Sequence, residues 1–140
     1  MPGFTHLHTA SGFSLRYGAS HPERLAERAA ERGMDALALT DRDTVAGVVR
    51  FAKACAEAGV RPLFGVDLAI DPAGPVPGET GPGGSGRTSA RRVPVRGGAF
   101  VDESAPRVVY LARSRAGWAA LCRMISAAHA QDPSARTGPG

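Results

Sequence analysis

The sequence predicts an α/β fold in which about four parallel-type strands alternate with helices. Within the first seventy residues, short apolar runs and amphipathic stretches follow one another as strand, helix, strand, helix, strand. The run Ala36–Leu39 is continuously apolar, as in a strand that is buried on both faces. Gly33 and Gly59 stand where helices end, because glycine adopts the left-handed conformation at little cost. The 140 residues, 43% of them apolar, suffice for one domain.

The first half of the chain supplies a local signal for each element. Phe4–His8 alternates apolar and polar side chains, which predicts the first strand. Ser20 is expected to cap the first helix, with Pro22 in the first turn, where proline is tolerated. Two further elements are expected: a second helix from Asp43 or Thr44 to Gly59 and a third strand over Val60–Leu68.

Residues 72–98 interrupt this alternation. They are rich in glycine, proline and arginine, which predicts a flexible insertion with at most a brief strand at Arg92–Val95. Regular structure is expected to resume with a fourth strand at Val108–Ala112, followed by a helix capped by Ser114. The predicted organisation is one domain over residues 1–131, containing the insertion, and a disordered tail over residues 132–140.

Composition narrows the setting of the protein. The net charge of +4 and the pI of 9.8 come almost entirely from arginine and are weak evidence for a phosphate-bearing partner. Cys55 and Cys122 lie on apolar helix faces and are expected to be free thiols. No apolar run reaches the roughly 18 residues that a membrane span needs. We therefore expect a soluble cytoplasmic protein without a membrane partner.

Polar side chains cluster at the predicted carboxyl ends of the strands, which meet at one edge of a parallel sheet. If Phe4–His8 is a strand, its two imidazoles point the same way and could share one metal ion. Imidazole and carboxylate together suit zinc, manganese or iron. Asp41 and Asp43 could alternatively be ordinary helix caps. The candidate residues are His6 and His8 on strand one, Asp41, Arg42 and Asp43 after strand two, and Asp67 on strand three.

Three stretches carry a resemblance to a known family. They are FTHLHTASGFSLRYGASHPERLAERAAERGMDALALTDRD, GVVRFAKACAEAGVRPLFGVDLAI and VVYLARSRAGWAALCRMISAAHAQ. Together they resemble the PHP (polymerase and histidinol phosphatase) domain, and more closely the amino-terminal PHP domain of bacterial DNA polymerase III alpha subunits of the error-prone type. The resemblance covers most of residues 4–131, apart from the insertion.

The resemblance implies an irregular (β/α)₇ barrel, of which this chain would form a part. It also implies a rim that holds up to three metal ions for phosphoester hydrolysis with metal-activated water. In some polymerases of the family the domain is a 3′–5′ exonuclease. In others it has lost its metals and serves as a scaffold.

The candidate residues match the family pattern unevenly. His6 and His8 match its first motif, whereas Tyr17 stands where the family usually has aspartate and Arg42 where it usually has histidine. Asp67 stands where the family usually has glutamate, so a carboxylate remains with a shorter reach. The resemblance thus implies a residual metal site of His6, His8 and Asp67 that holds at most one weakly bound zinc or manganese ion.

Arg42 cannot ligate a metal because its guanidinium stays cationic. It could form an ion pair with Asp67 or Asp43, which we favour, or receive a phosphate. The expected function is therefore a degenerate PHP scaffold of a polymerase alpha-like protein in DNA replication or repair synthesis, inactive alone. Its expected partners are the remainder of the alpha subunit or other replication proteins.

Two alternatives remain open from the sequence. One is a small metal-dependent phosphoesterase that uses His6, His8 and Asp67 to activate water. The other is a nucleic-acid-binding fragment in which the arginine-rich insertion contacts the DNA backbone.

Overall fold

The computed structural model describes residues 3–70, 93–94, 100–101 and 106–130. The chain divides into two compact units, one of residues 1–68 with 109–140 and one of residues 69–108. A three-stranded sheet has the order β1-β2-β5, and β3 pairs with β4 in a separate antiparallel sheet. The mixed α/β class is confirmed. The elements are α1 Pro22–Glu31, β1 Ala36–Leu39, α2 Val48–Ala58, β2 Arg61–Ala69, β3 Val93–Pro94, β4 Phe100–Val101, β5 Arg107–Leu111 and α3 Arg115–Ala130.

β1 and β2 are parallel, as predicted, in a register that pairs Ala36 with Arg61 and Leu39 with Phe64. All four residues of β1 are buried, as the unbroken apolar run predicts. Helices α1 and α2 pack with these strands in one apolar cluster. Its most buried members are Ala26, Leu39, Phe51 and Cys55, each at most 1% exposed.

β5 runs antiparallel to β2, which corrects the expectation of a fourth parallel strand. The Ala112 amide donates to the Phe64 carbonyl, and the Ile70 amide donates to the Pro106 carbonyl. The chain therefore advances along β2 while it returns along β5. A parallel neighbour normally needs a crossover helix, whereas an antiparallel one can follow directly on the returning chain.

The antiparallel course of β5 decides where α3 ends. β5 finishes at the end of the sheet opposite to the carboxyl ends of β1 and β2, so the 16 residues of α3 run back towards those ends. Leu121 and Ile125 on its buried face pack against Val66 and Leu68 of β2. Ser114 caps this helix as predicted, since its Oγ accepts a hydrogen bond of 3.1 Å from the Gly117 amide.

The first predicted strand is absent as a regular strand. The Ala38 and Thr40 amides of the β1 segment donate to the carbonyls of His6 and Thr9, respectively. Between these two hydrogen bonds the amino-terminal segment advances by three residues, from His6 to Thr9, whereas the β1 segment advances by two. The amino-terminal segment also bends at Leu7. One extra residue breaks the ladder, as at a β-bulge. The segment lies beside β1 without the strict alternation of side chains that a strand would impose.

Two helix starts differ from the prediction. The N-cap of α1 is His21 rather than Ser20, and it makes no side-chain capping bond. Helix α2 begins at Val48 with Gly47 as its N-cap, several residues later than expected, and Asp43 has a φ of 57°, which a right-handed helix does not accommodate. The predicted helix ends hold, since Gly33 and Gly59 have φ values of 68° and 71°.

Three other expectations have separate outcomes. Cys55 and Cys122 are free thiols, as predicted. Within the described part of the chain, no helix is both long and apolar enough to cross a bilayer. Val93–Pro94 falls inside the expected brief strand, whereas the rest of the predicted insertion and the 132–140 tail lie outside the described residues.

Candidate functional site at the strand ends

Asp41 fastens the loop of residues 11–18 to the carboxyl end of β1. Its carboxylate is 1% exposed and accepts hydrogen bonds from the Ser11 amide at 2.6 Å, the Ser11 hydroxyl at 2.7 Å and the Ser14 hydroxyl at 2.6 Å. A buried carboxylate needs several donors of this kind, because leaving it unpaired is costly. Asp41 therefore organises the loop, and the alternative that it caps a helix is wrong.

Arg42 stacks on Tyr17, which joins the two positions where the sequence departs from the family pattern. The guanidinium carbon lies 3.6 Å from the centroid of the Tyr17 ring, within the range of a cation–π contact. The Arg42 amide also donates to the Ser14 hydroxyl at 2.9 Å. Both the backbone and the side chain of Arg42 are thus engaged with the 11–18 loop.

Asp67 of β2 contacts both the residues that follow β1 and His8 of the amino-terminal segment. It forms a parallel bridge with Arg42, in which the Asp67 amide donates to the Asp41 carbonyl and the Asp43 amide donates to the Asp67 carbonyl. Its carboxylate Oδ2 lies 3.4 Å from Nε2 of His8, and its side chain is 8% exposed against 62% for that of His8. The structure therefore brings His8 and Asp67 together, as the sequence predicts.

His6 has a different environment. Its ring meets the Phe4 ring edge to face, with the centroids 4.7 Å apart. The shared direction of His6 and His8 was predicted from the alternation of a regular strand, and the bend at Leu7 removes that alternation. A joint metal site of His6, His8 and Asp67 stays a prediction. An ion pair of Arg42 with Asp67 or Asp43 also stays a prediction. Each of these two aspartates has a further interaction besides those described above.

His129, in the last turn of α3, lies at the strand-end edge, which is the edge formed by the residues after β1 and by Asp67 of β2. Its Nε2 lies 2.7 Å from the Asp43 carbonyl oxygen and donates to it in the tautomer that carries the proton there. No local pattern in the sequence places His129 at this edge. The signal that could have found it is the direction of β5, because an antiparallel β5 returns the last turn of α3 to the ends of β1 and β2.

The donor set decides whether the edge suits the metal centre that the family resemblance implies. Among residues 3–70 and 106–130, no three or more His, Cys, Asp or Glu side chains are grouped closely enough to hold an ion. At positions 17 and 42, where the resemblance implies metal ligands, the chain has a tyrosine ring and a guanidinium that stack on each other, and the guanidinium repels a metal cation. These residues do not fit a multinuclear metal centre.

The fold and the site define the general class, an α/β protein with histidine and carboxylate side chains at the ends of parallel strands. The model of the PHP domain family matches residues 6–138 of the chain. The chain belongs to the PHP domain family.

Several known proteins are similar to the chain. An error-prone DNA polymerase of Mycolicibacterium paratuberculosis is 39% identical over 126 residues, which are 90% of this chain and 10% of that protein. An error-prone DNA polymerase of Symbiobacterium thermophilum is 35% identical over 136 residues, 96% of this chain and 10% of that protein. The chain thus spans about a tenth of the length of these curated relatives.

A solved structure from Bifidobacterium adolescentis, provisionally described as a metal-dependent phosphoesterase, is 32% identical to the chain. The match has a TM-score of 0.45 and covers 50% of this chain and 24% of that chain.

Proposed function

We propose that the chain acts as the amino-terminal PHP segment of an error-prone-type DNA polymerase and serves there as a scaffold rather than a hydrolase. The observation that carries this proposal is the Arg42–Tyr17 stack, because it fills the strand-end edge with a ring and a fixed cation. The chain would then contribute strands and helices to a larger (β/α)₇ barrel. The remainder of the polymerase would be its partner in DNA replication or repair synthesis.

The exposed apolar side chains near the amino terminus support a partner that covers this surface. Phe4 is 68% exposed, Leu7 51% and Leu15 78%. Large apolar side chains that are exposed in a contiguous patch often mark an interface, and these three are near one another in sequence. In the proposed assembly, further strands of the same barrel would cover Phe4 and Leu7.

An association experiment tests the scaffold role. A curated relative's polymerase from which the matching segment has been removed is mixed with the tagged chain, and complex formation is measured by analytical ultracentrifugation. We expect a one-to-one complex that is weakened by Phe4→Ser/Leu7→Ser but not by Val49→Ser, which changes an exposed valine of α2. Absence of any complex with the wild-type chain would contradict the scaffold role.

The second candidate function is a small metal-dependent phosphoesterase. The specific observation that favours it is the 3.4 Å approach of His8 Nε2 to the Asp67 carboxylate, since imidazole and carboxylate form metal sites. Bound zinc and manganese are measured by mass spectrometry, and hydrolysis is measured with bis-p-nitrophenyl phosphate. Stoichiometric metal and turnover, both lost in His6→Ala/His8→Ala, would establish this function in place of the scaffold.

DNA contact through the arginine-rich insertion also stays a prediction, since its arginines lie outside the described residues. Binding to a DNA duplex at several salt concentrations tests it. A steep decline of affinity with salt, abolished by deletion of residues 73–98, would support phosphate contacts there.

A further inference from the structure

Tyr17 and Arg42, the two residues that depart from the family pattern at the strand-end edge, contact each other. Two independent losses of metal ligands would not require such a contact. The guanidinium carbon of Arg42 lies over the Tyr17 ring, 3.6 Å from its centroid. Arginine stacks well on aromatic faces because its guanidinium is planar and weakly hydrated. The ring of Tyr17 is 43% exposed, so the contact lies at the edge of the molecule rather than in the core.

The 11–18 loop presents Tyr17 to Arg42 in a fixed position. The amides of Tyr17 and Gly18 both donate to the Ser14 carbonyl at 3.0 Å, which forms a tight turn. The Ser14 hydroxyl accepts from the Arg42 amide and donates to Asp41. One serine therefore connects the turn that carries the ring with the strand end that carries the guanidinium.

Gly18 makes this turn possible. A Cβ at Gly18 would lie 2.1 Å from the Ser11 carbonyl oxygen and 2.7 Å from that of Ala10. No side chain fits there, so the turn approaches the preceding backbone more closely than any other residue would allow. The backbone of the turn thus limits where Tyr17 can lie, and the contact with Arg42 holds its ring.

We propose that Arg42 is the resident cation of the strand-end edge and that its stack on Tyr17 keeps the end of the 11–18 loop, at Tyr17 and Gly18, ordered without a metal ion. Here the guanidinium of the strand end contacts the ring of the loop directly. The inference goes beyond the proposed scaffold role, since it concerns how the isolated chain orders its own loop.

Amide hydrogen exchange of the purified chain tests the proposal. The probes are the amides of Tyr17 and Gly18, both of which donate to Ser14. In the wild-type chain we expect their exchange rates to stay within about twofold when EDTA, manganese or zinc is added. Tyr17→Leu and Arg42→Gln are each expected to accelerate exchange about fivefold, as the loss of one exposed cation–π contact implies.

The double variant Tyr17→Leu/Arg42→Gln separates a coupled pair from two independent effects. If the side chains act on the loop through each other, the double variant exchanges no faster than the faster single variant. Tyr17→Phe keeps the aromatic face and is expected to exchange like the wild type, which excludes the phenol hydroxyl as the cause. Arg32→Gln removes an exposed arginine at the end of α1 and serves as the charge control.

Two results would overturn the proposal. One is an acceleration of loop exchange in the wild-type chain on addition of EDTA, which would reveal a metal ion that orders the loop. The other is a double variant whose acceleration equals the product of the two single effects. Circular dichroism of every variant shows whether a change is confined to the loop.

A gain-of-binding variant gives a second readout. Tyr17→Asp/Arg42→His replaces the stack by a carboxylate and an imidazole at the edge that also holds Asp67. We expect at least tenfold tighter manganese binding than in the wild type by calorimetry, and loop exchange that has become sensitive to EDTA. Equal manganese affinity in both proteins would show that the stack does not occupy the place of an ion. Neither outcome depends on whether the chain associates with a polymerase.

Discussion

The α1/α2 side of the sheet and the strand-end edge are stabilised by different forces. The helix side is an apolar cluster in which Phe51 and Leu39 are buried to 1% or less. The edge holds a fully buried carboxylate, Asp41, with three hydrogen bonds from serines about thirty residues away in sequence. Apolar contacts tolerate small shifts in position, whereas hydrogen bonds to a carboxylate fix the loop in one geometry. The helix side therefore stabilises the fold mainly through apolar burial, whereas the edge contributes directional hydrogen bonds that also fix the path of the loop.

The largest expected effect comes from the apolar side. Phe51→Ala removes a ring that is 0% exposed and leaves a cavity between α2 and the sheet. We expect a loss of about 3–5 kcal/mol in the free energy of unfolding. Urea denaturation followed by circular dichroism measures it. Val49→Ala on the same helix is the control, since Val49 is 79% exposed and its loss is expected to change stability by less than about 0.5 kcal/mol.

The second effect tests the polar edge. Asp41→Asn replaces an acceptor of three hydrogen bonds by an amide whose NH₂ group faces donors. We expect a loss of about 2–3 kcal/mol, accompanied by faster amide exchange over residues 11–18. Asp35→Asn, at an exposed aspartate before β1, is the control. If Asp41→Asn were no more destabilising than Asp35→Asn, the edge would not depend on this carboxylate.

The third effect concerns the packing of β2 between its neighbours. A Cβ at Gly65 would lie 2.4 Å from the Tyr110 carbonyl oxygen and 2.7 Å from a Leu111 methyl group. Gly65→Ala is therefore expected to cost about 2 kcal/mol. Gly117→Ala in α3 is the matched control, because the nearest atom would lie at 3.6 Å, and a gain of about 0.5–1 kcal/mol is expected there. Thermal unfolding of both variants measures the contrast, and equal shifts of Tm would contradict it.

The smallest effect is a pH dependence that arises in the apolar core. Burial raises the pKa of the Cys55 thiol from 9.0 to about 11. An unfolded chain would lose this proton near pH 9 while the folded chain keeps it, so the stabilisation is complete below pH 9 and is lost as the pH rises towards 11. Over this range we expect the free energy of unfolding of the wild type to fall more steeply than that of Cys55→Ala, as measured by urea denaturation at each pH. Parallel losses in the two proteins would mean that other groups cause the decline.

Local sequence signals predicted the helix ends and the buried strand, because each depends on neighbouring residues. Gly33 and Gly59 end their helices through their own backbone conformation, and Ala36–Leu39 needs only its apolar character. The direction of β5 could not be predicted in this way. It depends on hydrogen bonds between β2 and β5, whose residues are far apart in sequence.

The candidate site was predicted in part. The approach of His8 to Asp67 agrees with the prediction that both lie at one edge of the sheet, although His8 belongs to no regular strand. The stack of Arg42 on Tyr17 and the contact of His129 with Asp43 join residues 25 and 86 positions apart, and no local pattern encodes such distances. The role of Asp41 was missed for the same reason, since Ser11 and Ser14 resemble ordinary loop serines.

The tight turn at Gly18 has a consequence for how such an edge changes over generations. Because Gly18 and Ser14 set the path of the turn, the side chain at position 17 can be exchanged without rebuilding the backbone. Tyrosine and aspartate codons differ by one base, and so do arginine and histidine codons of the matching series. Two point mutations therefore suffice to exchange the stacked pair at positions 17 and 42 for the two side chains that the family usually has there, whereas Asp67 would need a third.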